Sequence, residues 1–204
     1  METLADRGDG TYAYIDSITE ARHLFGSKLG ATLQTIARDV KIQVAFDPDA
    51  VRGWRLLGYE NRAIADEDFR NDAVDAGEIG AGHQVTALYD VVLRDSLPTA
   101  QPIARVRLRA KPPGPDRPAE EWTTRFLAGL VQPGWQQSSP DLRAAWTLAQ
   151  TAENLRDTSG AESVPWKRLS AEARVLEAQG FEGADDLRAR IADASMLDGG
   201  MAQR

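Results

Sequence analysis

"GDGTYAYIDS" (residues 8–17) sets a Gly-Asp-Gly turn, a short aromatic run and a helix cap side by side. Residues 2–7 predict the end of a helix closed by Gly8. Gly10 then releases the chain into Thr11–Ile15, where Tyr12, Tyr14 and Ile15 favour a strand. Ser17 with Glu20 three residues on is a capping box. Ile18, Ala21, Phe25 and Leu29 recur behind it at helical spacing, and Leu33 and Ile36 continue the period past Gly30. A helix end, a turn, a strand and a capped helix make one αβα step of a doubly wound sheet, and such a strand needs neighbours. The chain between residues 40 and 128 already reads as a complete antiparallel set. The expectation is therefore that the opening belongs to a domain upstream of Met1, with Tyr12, Tyr14, Ile18 and Phe25 packing on an absent sheet and leaving apolar surface open here.

After Asp39 the period falls to two. Val40, Ile42, Val44 and Phe46 alternate with Lys41, Gln43, Ala45 and Asp47, which predicts one apolar row on a half-buried strand. "VRGWRLLGYENR" follows the Asp47-Pro48-Asp49 turn as a second strand. "HQVTALYDVVL" is a third, with Val85, Ala87, Tyr89 and Val91 on one face. "IARVRLRA" and "EWTTRFLA" are a fourth and a fifth, separated by "KPPGPDRP". Short strands without helical crossovers predict an antiparallel sandwich, with Trp54, Trp122, Trp146 and Trp166 plugging it and its junction with the helices. The tail is helical. Ser139, Pro140 and Asp141 start a helix whose apolar stripe is Leu142, Ala145, Leu148, Ala149, Ala152 and Leu155, ended by Gly160. Helices over about 165–179 and 184–197 follow. The first carries Trp166, Leu169, Ala173 and Leu176 inward, the second Leu187 and Ile191, and "DGGMAQR" reads as a frayed end.

The chain of 204 residues can bury a sizeable core, and 42% apolar with 27% charged residues is an ordinary globular balance. A net charge of −7 repels phosphate backbones and anionic lipid, so no nucleic-acid partner is expected. No window is apolar enough to span a bilayer, and "METLADRGDG" lacks the basic region and apolar core of an export signal. Without cysteine there are no disulfides, thiolate metal sites or cysteine nucleophiles.

The densest charge lies in residues 60–83, where Glu60, Asp66, Glu67, Asp68, Asp72, Asp75 and Glu78 face Arg62 and Arg70. The order of an EF-hand loop fails from either Asp66 or Asp68, so a solvated acidic loop is expected rather than a calcium site. Arg105, Arg107 and Arg109 alternate, so on a strand all three leave one face. An outward face balanced by the acidic loop is favoured over an anion site, and either way Val106 and Leu108 are expected to be buried. "GEIGAGH" has the reverse of dinucleotide-binding glycine spacing and precedes a strand. His23 and His83 have no partner motif, so no catalytic pair is expected.

At this point the chain resembles a family, the bacterial YfbK-type proteins, in which a von Willebrand factor type A domain precedes a characteristic C-terminal region. The matching stretches are "LADRGDGTYAYIDSITEAR", "TLQTIARDVKIQVAFDP", "RLLGYENRAIADEDF", "DAGEIGAGHQVTALYDV" and, more loosely, "DLRAAWTLAQTAENLRD". The resemblance implies a mixed α/β chain in three parts. Residues 1–30 would be the last strand and helix of an incomplete type A domain, 31–135 a β-rich region of about five strands, and 136–204 its helical tail. It further implies a non-enzymatic interaction or scaffolding module with an upstream type A domain and an unidentified protein ligand as partners. A divalent cation, Mg or Ca, is expected only in the absent part, since Asp-x-Ser-x-Ser does not occur here, and no cofactor or metal ligand is expected in this chain. Family members are often exported or membrane-anchored, which points to the bacterial cell envelope or periplasm. The candidate interaction surface is Tyr12, Tyr14, Ile18, Phe25, Arg105, Arg107 and Arg109. The alternative is a small anion-binding enzyme or hydrolase using the acidic loop 60–78 and the arginine row.

Overall fold

The computed structural model describes residues 15, 18–26, 34–58, 64–74, 76–115, 117–156 and 163–201. Tyr12, Tyr14 and most of the strand expected at 11–15 lie outside these, as do Ser17, Leu29, Gly30, Leu33, Glu60, Arg62, Asp75, Gly160 and the side chain of His23. The elements in order are helix α1 (Ile18–Phe25), strands β1 (Thr35–Phe46) and β2 (Val51–Leu57), a 3-10 turn (Asp66–Arg70), and β3 (Ile79–Gly80). Then come β4 (Leu88–Leu93), β5 (Pro102–Lys111), β6 (Glu120–Leu127), and helices α2 (Pro140–Arg156), α3 (Trp166–Ala178) and α4 (Ala184–Met201). The chain is mixed α/β, and among the described residues six strands, against the about five expected, form two antiparallel sheets. One has the order β3-β1-β5-β6, the other pairs β2 with β4.

The described residues group into two compact units. Residues 1–50, 62–85 and 96–129 form the first, and 51–61, 86–95 and 130–204 the second. The first holds the four-stranded sheet and the 3-10 turn. Ile36, expected on a helix, lies in β1, because Thr35 already pairs with Gly80 and Ala37 with Ile79. The glycine-rich "GEIGAGH" stretch thus supplies a sixth strand. Gly82, at φ +82°, makes the turn that follows, a backbone shape that side chains with a Cβ rarely adopt. A bulge between Arg38 and Lys41 shifts the register of β1 against β5, and at it Asp39 takes φ +52°.

The second unit contains the β2–β4 ribbon and three helices with their own core. Leu169, Ala173 and Leu176 of α3 meet Ala184, Leu187 and Ile191 of α4, with Ala144, Trp146, Val164, Trp166 and Phe181 packed around them. The inward faces expected for α3 and α4 are the ones observed, and α4 continues as helix through Met201 where a frayed end was expected. Ser139 caps α2, its Oγ accepting from the Leu142 N–H at 3.2 Å.

The expected stripe of α2 is reversed. Leu142, Leu148, Ala152 and Leu155 are exposed, Ala145 and Ala149 half-buried, and the buried positions are Arg143, Thr147, Gln150 and Thr151. These recur at i, i+4, i+7 and i+8, itself a helical stripe. The hydroxyls are satisfied locally, Thr147 donating to the Arg143 carbonyl at 2.7 Å and Thr151 to the Thr147 carbonyl at 2.8 Å. Trp54 and Trp122 are not core plugs. Both are exposed, and Trp54 lies edge-on to Tyr89 at 5.9 Å.

Candidate functional site

Antiparallel register sorts the four-stranded sheet into two chemically different faces. Ile42, Leu108 and Trp122 stand opposite one another across β1, β5 and β6. So do Val44, Val106 and Thr124, and likewise Phe46, Ala104 and Phe126. This apolar face is open. Ile42 is 58% exposed, Trp122 49% and Phe126 43%, while Val106 and Leu108, expected to be buried, are half-buried. On the reverse face the rows are Lys41, Arg109 and Glu121, then Gln43, Arg107 and Thr123, then Ala45, Arg105 and Arg125.

That polar face is covered at its Lys41 and Arg109 end, while Ala45, Arg105, Thr123 and Arg125 are exposed. The 3-10 turn lies against it with Phe69 buried. Gln43 Nε2 donates to Asp66 Oδ1 at 2.8 Å, Lys41 Nζ to the Asn71 carbonyl at 2.6 Å, and Arg70 to both Glu121 oxygens at 2.9 Å. Arg109 Nη1 donates to Asp72 Oδ1 at 2.8 Å, whereas Arg107 donates to Gln43 and Arg105 is exposed. The acidic segment is therefore a lid on the sheet rather than a purely solvated loop, because the arginines and Lys41 give its carboxylates and carbonyls cationic donors. The Arg109 hydrogen bond, then that of Lys111, holds the Asp72 carboxyl below the usual aspartate range, and Arg70 does the same for Glu121.

Beside this lid lies a polar pocket of about 580 Å³, lined by Arg38, Asp39, Asp72, Glu78, Lys111 and Arg117 among others. Of the sequence-chosen groups Asp72 and Glu78 reach it, and Arg105, Arg107 and Arg109 do not line it. Glu78 is held by Arg38 Nε at 3.1 Å and by the Thr35 hydroxyl at 3.3 Å. Asp39 lies between two ammonium groups, Lys111 Nζ at 2.9 Å and Lys41 Nζ at 3.5 Å. Sequence reasoning passed over Arg38, Asp39 and Lys111. The available signal was the charged triplet Arg38, Asp39, Lys41 interrupting an apolar alternation, with aspartate among the few residues that tolerate a left-handed backbone. Among the described residues no group of three or more His, Cys, Asp or Glu converges as metal ligands, and no helix is long and apolar enough to cross a membrane. His83 is exposed.

A two-unit α/β chain with one open apolar sheet face and one lidded, charged face falls within a known family. The family described as "Uncharacterized protein YfbK, C-terminal" matches residues 31–191, and the chain belongs to it. The chain is 31% identical over 200 residues to "Uncharacterized protein YfbK" of Escherichia coli (strain K12), a match covering 90% of this chain and 34% of that protein. It thus spans about a third of the length of this relative. No solved structure matches.

Proposed function

We propose that the chain is a non-enzymatic interaction module: the C-terminal part of a longer type A domain protein, whose open sheet face seats another folded domain of the same polypeptide. The observation that carries this reading is the exposure of Ile42, Trp122 and Phe126 in register on one face. Ile18 and Phe25 on α1 add further exposed apolar surface. Covering the exposed portions of the three sheet residues removes roughly 300 Å² of apolar surface from water, on the order of 7 kcal/mol at about 25 cal/mol per Å². A free partner would spend much or all of that on lost translation and rotation, about 4–15 kcal/mol, whereas a tethered domain is already at high local concentration. A relative about three times as long supplies room for such a domain. In this reading any divalent cation and the protein-ligand site reside on that domain, and this chain braces it.

The test is hydrophobic-dye fluorescence and light-scattering mass on the chain alone and on a version extended to the relative's full length. The isolated chain is expected to bind dye or self-associate. Ile42→Thr with Trp122→Thr should suppress both, and so should the extension. A dye-silent, stable monomer would end the proposal.

A further inference from the structure

Helix α2, in the second unit, turns a continuous apolar stripe to solvent. At about 100° per residue, Leu142, Ala145, Leu148, Ala149, Ala152 and Leu155 fall within one arc of roughly 140°. Leu142 is 45% exposed, Leu148 51% and Leu155 36%, so three leucines in helical register stand open. Asp141 and Arg156 lie in the same arc, one in the first turn and one in the last. Glu153, at the border of the stripe, is drawn away to Arg55 Nη1 at 3.0 Å and does not intrude on it.

The order of these residues decides the partner, because the stripe is complementary to itself. About a two-fold axis passing between Leu148 and Ala149, an antiparallel second copy of α2 sets Leu142 against Leu155, Ala145 against Ala152, Leu148 against Ala149, and Asp141 against Arg156. Leucine thus meets leucine at the ends, and leucine meets alanine at the centre, where the two helix axes can approach to about 8–10 Å. A parallel pair would instead oppose Asp141 to Asp141 and Arg156 to Arg156 and would align the two helix dipoles. We infer that α2 pairs antiparallel with α2 of a second copy of this chain, through Leu142, Leu148 and Leu155 and with an Asp141–Arg156 contact at each end. The exposed parts of the three leucines come to roughly 200 Å² per copy, about 400 Å² for the pair, well under the roughly 1,200 Å² of a stable interface. The dimer is therefore a transient one, with a dissociation constant on the order of 0.1 mM. At low micromolar concentration α2 is unpaired, which separates this contact from anything the sheet face of the first unit does.

Sedimentation equilibrium from about 10 µM to about 1 mM tests this on the whole chain carrying Ile42→Thr and Trp122→Thr, substitutions that silence the sheet face and leave α2 as it is. The mass should rise with concentration from monomer toward dimer and no further. Leu148→Asp, beside the two-fold axis, should hold the chain monomeric throughout, with circular dichroism showing the helices intact. Asp141→Lys alone and Arg156→Glu alone each oppose like charges at both ends of the pair and should weaken it about tenfold. An equimolar mixture of these two variants should regain it as a heterodimer, since each carries the charge that the other now lacks. A monomer at about 1 mM, a Leu148→Asp variant that dimerises as its parent does, or a mixture that associates no better than either single variant would each overturn the inference.

Discussion

Arg143 is 1% exposed, and its charge is answered from a different helix. Its Nε donates to Glu172 Oε1 at 2.6 Å and its Nη1 to Gln179 Oε1 at 3.2 Å. The second Glu172 oxygen accepts from the Trp135 indole N–H at 3.0 Å. Arg143 Nη2 lies 2.5 Å from Glu172 Oε1 but outside hydrogen-bonding geometry. Glu172→Gln keeps the shape and removes the counter-charge, leaving a buried guanidinium uncompensated. The expected cost is about 3–5 kcal/mol. At a urea slope of about 1–3 kcal/mol/M the unfolding midpoint of this unit falls by roughly 1–5 M. Trp135 and Trp146, edge-to-face at 4.8 Å beside the pair, provide a local fluorescence reporter. Arg143→Leu combined with Glu172→Leu should recover most of the loss, because two apolar side chains in that site need no partner. A single variant costing under about 1 kcal/mol, or a double variant no better than the single, would show that the pair is not desolvated as described.

Leu148→Ala should change stability by less than about 0.5 kcal/mol, since Leu148 is 51% exposed. Leu176→Ala, at 0% exposure, should cost about 2–5 kcal/mol, and the reverse order in urea unfolding would mean that the apolar stripe of α2 faces inward after all. The Asp72 carboxyl, held by Arg109 first and Lys111 second, should titrate below the ordinary aspartate value of 3.8 in carboxyl-detected NMR, and Arg109→Gln should raise it. Because its folded value is the lower one, the stabilisation it gives is complete above the ordinary value and disappears as pH falls through the folded one. A midpoint for Asp72 at or above 3.8 in the native chain would contradict the lid geometry.

The α3 and α4 faces were legible because each has a single apolar stripe, Leu169, Ala173 and Leu176 on one and Leu187 and Ile191 on the other, and burial of that stripe is the dominant local gain. On α2 the same rule misplaces the inside, and on β1 it passes over the buried Lys41 while Val40, Val44 and Phe46 are half-buried as expected. Periodicity defines an axis of asymmetry but not its direction, and both elements carry a second, polar stripe at the same period. Which stripe turns inward depends on partners remote in sequence. Glu172 lies 29 residues from Arg143, and Asn71 lies 30 residues from Lys41. Neither pairing leaves a local trace. The Asp39 bulge is equally silent, because a one-residue register shift is set by where β5 and β3 demand their hydrogen bonds.

A reversed face is stable only under two conditions. Every polar group turned inward must find a partner, and the apolar groups turned outward must find cover or bear their hydration. The inward condition is met in detail by Glu172, Asn71 and the threonine back-bonds, at a desolvation cost that an all-apolar interior would avoid. The outward condition is left open at Ile42, Trp122 and Phe126 on the sheet. Within the first unit, the exposed apolar side chains of the sheet gain from whatever surface covers them. The exposure of Ile42, Trp122 and Phe126 is therefore the observation that most supports the proposal that another domain seats on this sheet.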